Sequence, residues 1–196
     1  MLWNAKNGCV KIDDTDMHYV SFGHGSKNLI VMPGLSDGLL TVKGKALLLA
    51  SSYIKYFNDY TVYMFSRKND MPEGYSIRDM AADQAKALRE LGITKTSVMG
   101  VSQGGMIAQF LAIDYPELVE KLIITVSAPR VNEMIHENVS SWIEMAKKGD
   151  HKSLMIDVAE KSYSEKYLKI YRKAYPIMGC IGKPRNYNRF FVNANA

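Results

Sequence analysis

The sequence predicts an α/β fold in which helices flank a mostly parallel sheet, and three observations support this prediction. Strand-like and helix-like segments alternate from Asn28 onward, which indicates parallel strands joined by crossover helices. The strand-like runs are continuously apolar, as expected for strands that are buried on both faces. A glycine-flanked serine, Ser102, follows one of these runs, at the sheet edge where parallel α/β folds bind ligands.

A hairpin followed by a buried strand is predicted within the first 35 residues. Residues 9–12 and 17–22 are short β-type runs separated by a polar turn, and they favour an antiparallel hairpin at a sheet edge. Residues 28–32 form the first continuous apolar run, and this run ends in a loop that contains Gly34 and Leu35. We expect this loop at the carboxyl edge of the parallel sheet.

Two helices and a second buried strand are predicted between residues 44 and 92. Residues 44–57 and 77–91 show the three- and four-residue spacing of apolar side chains that is typical of helices, and residues 61–65 form the strand between them. At the start of the second helix, Ser76 and Asp79 resemble a capping box with aspartate in place of glutamate.

The remaining chain predicts two more strands and then a change of pattern. An apolar run leads to Gly100, a helix follows Ser102, and residues 121–127 form the last recognisable strand. Beyond it, three helical segments are predicted at residues 133–148, 151–162 and 164–175. These features divide the chain into a core at residues 1–130 and a helical unit at residues 131–196.

The sequence Gly-Val-Ser-Gln-Gly at residues 100–104 has the G-x-S-x-G spacing of a nucleophile elbow. A serine on so tight a turn takes a strained backbone conformation, and Gly100 and Gly104 leave room for neighbouring chain. The turn exposes the Ser102 hydroxyl at a helix N-terminus, where backbone N–H groups favour developing negative charge.

With strand, elbow and helix in this order, the chain resembles the α/β-hydrolases, the family of proline iminopeptidase-like and small esterase-like serine hydrolases. The resemblance implies that Ser102 is the nucleophile. It also implies an oxyanion hole made by the N–H groups of Gln103 and Leu35, with Gly34 as the second choice to Leu35. Met32 and Pro33 precede Gly34, where the family often has histidine and glycine, but the chemistry needs only a free backbone N–H.

The same resemblance implies that residues 131–196 form a helical cap over the active site, with extra helices packed on one face of the sheet as the alternative. A serine nucleophile argues against the haloalkane dehalogenase and epoxide hydrolase branches, which use aspartate. The implied reaction is hydrolysis of a small acyl substrate, namely an ester, amide or thioester.

A triad acid and histidine are not identified. In this family the order along the chain is serine, then acid, then histidine, and no histidine follows at the family's position. Four histidines are present: His18, His24, His136 and His151. Glu133 is a weak candidate for the acid. Two interpretations remain: a truncated hydrolase with low or no activity alone, or a non-catalytic ligand-binding protein that keeps the pocket.

Composition limits the other function classes. The net charge of +5 is spread over predicted helices with interspersed glutamates, a pattern that does not favour nucleic-acid binding. Cys9 and Cys180 show no disulfide or zinc spacing, so we predict no metal and no cofactor. The first residues do not show the charged start and apolar core typical of a signal peptide, and no apolar run approaches roughly 18 residues, so we expect a cytoplasmic protein without a membrane span. An open sheet edge at residues 121–127 would favour self-association.

Overall fold

A computed structural model describes residues 2–196 and contains one six-stranded sheet. The strands follow the spatial order β1-β2-β4-β3-β5-β6. Their bounds are Lys6–Ile12 (β1), Thr15–Phe22 (β2), Lys27–Met32 (β3), Tyr60–Phe65 (β4), Thr96–Val101 (β5) and Val119–Thr125 (β6).

The sheet is antiparallel at one edge and parallel elsewhere, as the sequence predicts. Strands β1 and β2 form a hairpin, and β2 pairs antiparallel with β4. Strands β4, β3, β5 and β6 are parallel to one another. Their carboxyl ends therefore meet at one edge of the sheet, which is where ligands of such folds bind.

Seven α-helices accompany the sheet in residues 2–196. Their bounds are Ala46–Tyr53 (α1), Ile77–Glu90 (α2), Gln103–Asp114 (α3), Glu133–Lys147 (α4), His151–Ser162 (α5), Glu165–Tyr171 (α6) and Asn188–Asn195 (α7). The predicted capping box at the start of α2 is present, with both reciprocal hydrogen bonds between Ser76 and Asp79. None of the helices in this part of the chain has the length and apolar character needed to cross a bilayer.

Alternate residues of each buried strand supply two separate cores. On β3, Ile30 and Met32 face a core that helices α2 and α3 complete. Leu29 and Val31 face the opposite way, toward a smaller core that includes Ala46 of α1. This burial on both faces explains why the sequence of β3 is continuously apolar.

Strand β6 differs from the other parallel strands because it lies at the edge of the sheet. Within residues 2–196 it pairs only with β5. Its apolar side chains are partly exposed, with 39% exposure at Leu122, 44% at Ile123 and 41% at Ile124. The predicted open edge is therefore present, whereas self-association through it stays a prediction.

Three helices differ from the sequence-based expectation. Helix α6 ends at Tyr171 rather than at residue 175, because the chain continues as a 3₁₀ helix at Arg172–Ile177. Helix α1 ends at Tyr53 rather than at residue 57, because the chain tightens into a 3₁₀ turn at Ile54–Tyr56. Helix α7 was not predicted at all. It is only eight residues long and no side chain caps its N-terminus, so its stability depends on tertiary contacts that a local pattern does not reveal.

Candidate active site

Ser102 lies on a strained turn between β5 and α3. Its backbone angles are φ 54° and ψ −125°, in a region that non-glycine residues occupy at a cost of about 1–3 kcal/mol. The turn is held because the Ser102 N–H donates to the Thr125 carbonyl at 3.0 Å and the Ser102 carbonyl accepts from the Gly105 N–H at 2.8 Å. Ser102 is exposed, so the strain presents a hydroxyl at the carboxyl edge of the sheet.

The two flanking glycines are required because backbone passes too close for a side chain. A Cβ atom on Gly100 would lie 2.4 Å from the Gly104 carbonyl oxygen. A Cβ atom on Gly104 would lie 2.1 Å from the carbonyl oxygen of Met32. The start of α3 is thereby packed directly against the end of β3, which brings the loop after β3 beside Ser102.

The loop after β3 approaches Ser102 at Gly34. A Cβ atom there would lie 3.2 Å from the Ser102 Cβ and 3.6 Å from its Oγ, so a larger residue would crowd the hydroxyl. The chain then enters a 3₁₀ turn at Leu35–Gly38. Within residues 2–196, neither the Leu35 N–H nor the Gln103 N–H donates to a protein acceptor, and both residues line the same cavity as Ser102.

Arg67, which the sequence analysis did not single out, joins the loop to the elbow. Its guanidinium donates to the Gly34 carbonyl at 3.1 Å and to the Gln103 side-chain oxygen at 3.1 Å. The residue is only 3% exposed, and burial lowers the pKa of Arg67 to about 10. The guanidinium therefore stays charged at neutral pH, and its charge strengthens both hydrogen bonds.

Asp37 compensates this buried charge and connects it to helix α7. One carboxylate oxygen accepts from the Arg67 N–H at 2.9 Å and from the Arg189 guanidinium at 2.7 Å. Arg189, on α7, also donates to the Arg67 carbonyl at 2.7 Å, and the Gln103 side-chain amide donates to the Asn193 carbonyl on the same helix. These contacts fasten α7 above the loop.

Ser102 opens into a cavity of about 500 Å³ that is lined mainly by apolar side chains. The lining comes from the loop after β3, the first turns of α3, the segment after β6, helix α4 and the end of α7. Its apolar members include Leu35, Met106, Phe110, Val126, Val139 and Trp142. Among the described residues of the lining, Arg130 is the one with a charged side chain.

No histidine, aspartate or glutamate of residues 2–196 lines this cavity. His151 is buried in packing of the helical unit, with its Nε2 atom 2.8 Å from the Ile181 carbonyl oxygen. His136 and Glu133 are exposed on α4 and also lie outside the lining. The other two histidines belong to β2 and the segment that follows it. Within residues 2–196, the structure thus brings Ser102, Gln103, Leu35 and Gly34 together, and no histidine or carboxylate side chain joins them.

A strained serine lies between a parallel strand and a helix, and a glycine-containing loop lies beside it. This arrangement is typical of one class of α/β proteins, the class with a nucleophile elbow. The model of the family described as "alpha/beta hydrolase fold" matches residues 58–156, which is just over half of the chain. The chain belongs to the alpha/beta hydrolase fold family, as its sequence resemblance implied.

Individual relatives match more weakly. The chain is 29% identical to serine hydrolase BPHL of Homo sapiens over 149 residues, which cover 71% of this chain and 51% of that protein. It is 27% identical to epoxide hydrolase 1 of Caenorhabditis elegans over 146 residues, covering 74% of this chain and 35% of that protein. The chain therefore spans about half or less of the length of these relatives.

A solved structure shows the same fold. The alpha/beta hydrolase enzyme MGS-M2, from a Medee basin deep-sea metagenome library, matches 96% of this chain with a TM-score of 0.78. The match covers 70% of that protein at 14% sequence identity. At this identity the comparison concerns the fold alone.

The crowding at Gly104 generates the first prediction. Gly104→Ala places a methyl group against backbone that has no flexible side chain to move, so we expect it to lower the free energy of unfolding by about 3 kcal/mol. Gly179→Ala is the matched control, because the nearest atom to its new methyl group is the Lys152 Cβ at 3.4 Å. Urea unfolding of both variants measures the difference, and equal stability would contradict the crowded elbow.

The buried carboxylate generates the second prediction. Asp37→Ala leaves Arg67 and Arg189 without their shared counter-charge, and removing one partner of a buried ion pair costs about 3–5 kcal/mol. Glu144→Ala is the control, because the Glu144–Lys147 ion pair is exposed on both sides and we expect no change in unfolding midpoint. A midpoint for Asp37→Ala equal to that of the control would show that Asp37 does not hold the loop.

Proposed function

We propose that the chain is a serine hydrolase of its family and that Ser102 is the nucleophile for a small acyl substrate, an ester, amide or thioester. The observation that carries the proposal is the strained, exposed Ser102 beside two N–H groups without protein acceptors. Strain of this kind persists only where surrounding structure enforces it, and it concentrates at active sites. A buried or relaxed serine would not support the same proposal.

In the proposed reaction, Ser102 Oγ attacks the substrate carbonyl and passes its proton to solvent, which later protonates the leaving group, and the carbonyl oxygen gains negative charge. The N–H groups of Gln103 and Leu35 donate to that oxygen, which is the electrostatic part of acyl-transfer catalysis. Collapse of the tetrahedral intermediate expels the alcohol, amine or thiol and leaves an acyl-enzyme. Attack of water on this ester then releases the acid and restores Ser102.

Arg67 strengthens the proposed oxyanion hole in two ways. Its hydrogen bond to the Gly34 carbonyl engages the peptide group that also contains the Leu35 N–H. Because carbonyl and N–H point in opposite directions across a trans peptide, the bond turns the N–H away from Arg67. The positive charge also polarises that peptide, which makes the Leu35 N–H a stronger donor.

The cavity supports the proposed substrate class. Its volume of about 500 Å³ lies in the range of small-molecule sites, and its apolar lining favours an uncharged, mostly apolar acyl group. Helices α4 and α7, within residues 131–196, supply part of the lining, and residues 131–196 act as the proposed cap. We assign no metal and no cofactor to the reaction at Ser102.

We assign no general base within residues 2–196, because no histidine, aspartate or glutamate of these residues lines the cavity. We therefore expect slow chemistry from this chain alone. Without the other triad members, binding and oxyanion stabilisation give a residual rate enhancement of about 10³–10⁴-fold over the reaction in water. An added base in solution should raise the rate if Ser102 is otherwise correctly placed.

The absence of a base among the lining residues favours a second candidate function. In this alternative, the chain binds an apolar small molecule in the same cavity and Ser102 performs no chemistry. The cavity and the fold are common to both candidates. They differ only in the reactivity of the Ser102 hydroxyl.

A fluorophosphonate probe separates the two candidates. Ser102 Oγ would attack phosphorus and displace fluoride, and we expect slow labelling that added imidazole accelerates by taking up the serine proton. Ser102→Ala should abolish the label, whereas Ser127→Ala, which alters another serine of the same cavity, should retain it. Mass spectrometry of the labelled peptide identifies the site.

Failure to label a folded sample, with imidazole present, would overturn the hydrolase proposal and support the ligand-binding alternative. Labelling that persists in Ser102→Ala would also overturn the hydrolase proposal, because another residue would then be the one that reacts. Circular dichroism of each variant shows whether it is folded.

Arg67→Lys generates a further prediction in the same assay. A lysine is a single point charge and cannot bridge the Gly34 carbonyl and the Gln103 side chain as the guanidinium does. Because loss of an oxyanion donor costs about 10²–10³ in rate, we expect weakening of one donor to slow labelling by at least about tenfold. Arg78→Lys is the control, because Arg78 pairs with Asp114 on the surface. Equal labelling rates for the two variants would exclude the proposed role of Arg67.

A further inference from the structure

The β1–β2 hairpin brings together three side chains of the kinds that bind transition metals. The Cys9 thiol, an Asp16 carboxylate oxygen and a His18 ring nitrogen all lie within 4.8 Å of one another. Cys9 pairs directly with His18 across the two strands, and Asp16 lies two residues from His18 and so shares its face of the sheet. The cluster is a product of strand register, which is why sequence spacing gave no sign of it.

The three donors match the preferences of Zn²⁺. This ion binds thiolate, imidazole nitrogen and carboxylate oxygen at about 2.0–2.3 Å, so tetrahedral ligand atoms lie about 3.3–3.8 Å apart. The distances between the three ligand atoms therefore have to shorten by about 1 Å to bind the ion. Cys9 is exposed and Asp16 is half-buried, so both side chains are free to rotate toward His18, which is buried.

The orientation of the His18 ring bears on metal binding. The His18 Nε2 atom lies 3.4 Å from the Asn69 side-chain nitrogen. Metal-binding histidines donate their second ring N–H to an acceptor, so Nδ1 is left for the ion once the Asn69 amide turns its oxygen toward Nε2. Two lysines lie near the cluster: Lys11 Nζ is 3.7 Å from Asp16 with both groups substantially exposed, and the charge of Lys43 acts on both Cys9 and His18. A divalent cation would compete with these lysines for the thiolate and the carboxylate, which together would neutralise it.

We propose that Cys9, Asp16 and His18 form a site for Zn²⁺ or a similar divalent transition metal, with water as the fourth ligand. None of the three residues lines the Ser102 cavity, so this site is separate from the proposed active site. A metal here would also fasten β2 at the loop that carries Arg67. The Ser66 N–H donates to the His18 carbonyl at 3.0 Å, and the Asn69 N–H donates to the Asp16 carbonyl at 2.8 Å.

Titration of the reduced, metal-free chain with Co²⁺ tests the proposal. We expect one equivalent to produce the visible bands of tetrahedral Co²⁺ together with a thiolate-to-cobalt charge-transfer band, and Zn²⁺ to displace both. Cys9→Ser should remove the charge-transfer band. Cys180→Ser should leave it unchanged, because the chain's other exposed free thiol serves as the matched control.

The roles of Asp16 and His18 are tested by the affinity of their variants for Co²⁺. Loss of an outer-shell partner alone weakens metal binding 10–100-fold, so Asp16→Asn and His18→Gln should each weaken Co²⁺ binding by at least about tenfold. Absence of the charge-transfer band in the folded chain would overturn the proposal. So would its loss in Cys180→Ser, or unchanged affinity in both ligand variants. None of these outcomes depends on whether Ser102 reacts.

Discussion

Close approach of three backbone segments is the constraint on which the site depends. The end of β3, the elbow at Ser102 and the first turn of α3 meet at distances that exclude side chains at Gly100 and Gly104. Because main-chain atoms occupy this space, the elbow has no room to relax toward ordinary φ values. The sheet and α3 thus enforce the strain at Ser102, and the exposed hydroxyl follows from the fold rather than from local preference.

Hydrogen bonds among charged side chains also hold the loop beside the elbow in place. Arg67 and Asp37, which are buried, and Arg189, which is half-buried, connect the loop after β3, the loop after β4 and helix α7 through hydrogen bonds. Such a network is stabilising only when its members are all present, because a buried charge without a partner is costly. Its effect is to fix the peptide that contains the Leu35 N–H, so the position of one backbone donor depends on residues distant in sequence.

The sequence predicted the sheet well because buried strands leave a local signal. Apolar runs identify strands buried on two faces, and the glycine spacing around Ser102 reports the crowded turn. Helix α7 and the roles of Arg67 and Asp37 left no such signal. Phe190 of α7 and Asp37 are buried by contacts between segments that are distant in sequence, and a charged residue in a polar loop is ordinarily a surface residue. The Cys9–His18 pairing likewise depends on hairpin register, which residue counting between ligands does not show.

A crystal structure of the chain after phosphonylation tests the central claim most directly, since it reports both the strain and the donors. We predict a positive φ at Ser102, phosphorus bonded to Ser102 Oγ, and a phosphonyl oxygen about 2.7–3.1 Å from the backbone nitrogens of Leu35 and Gln103. A Ser102 with φ in the ordinary negative range, or an adduct oxygen that points away from both nitrogens, would contradict it.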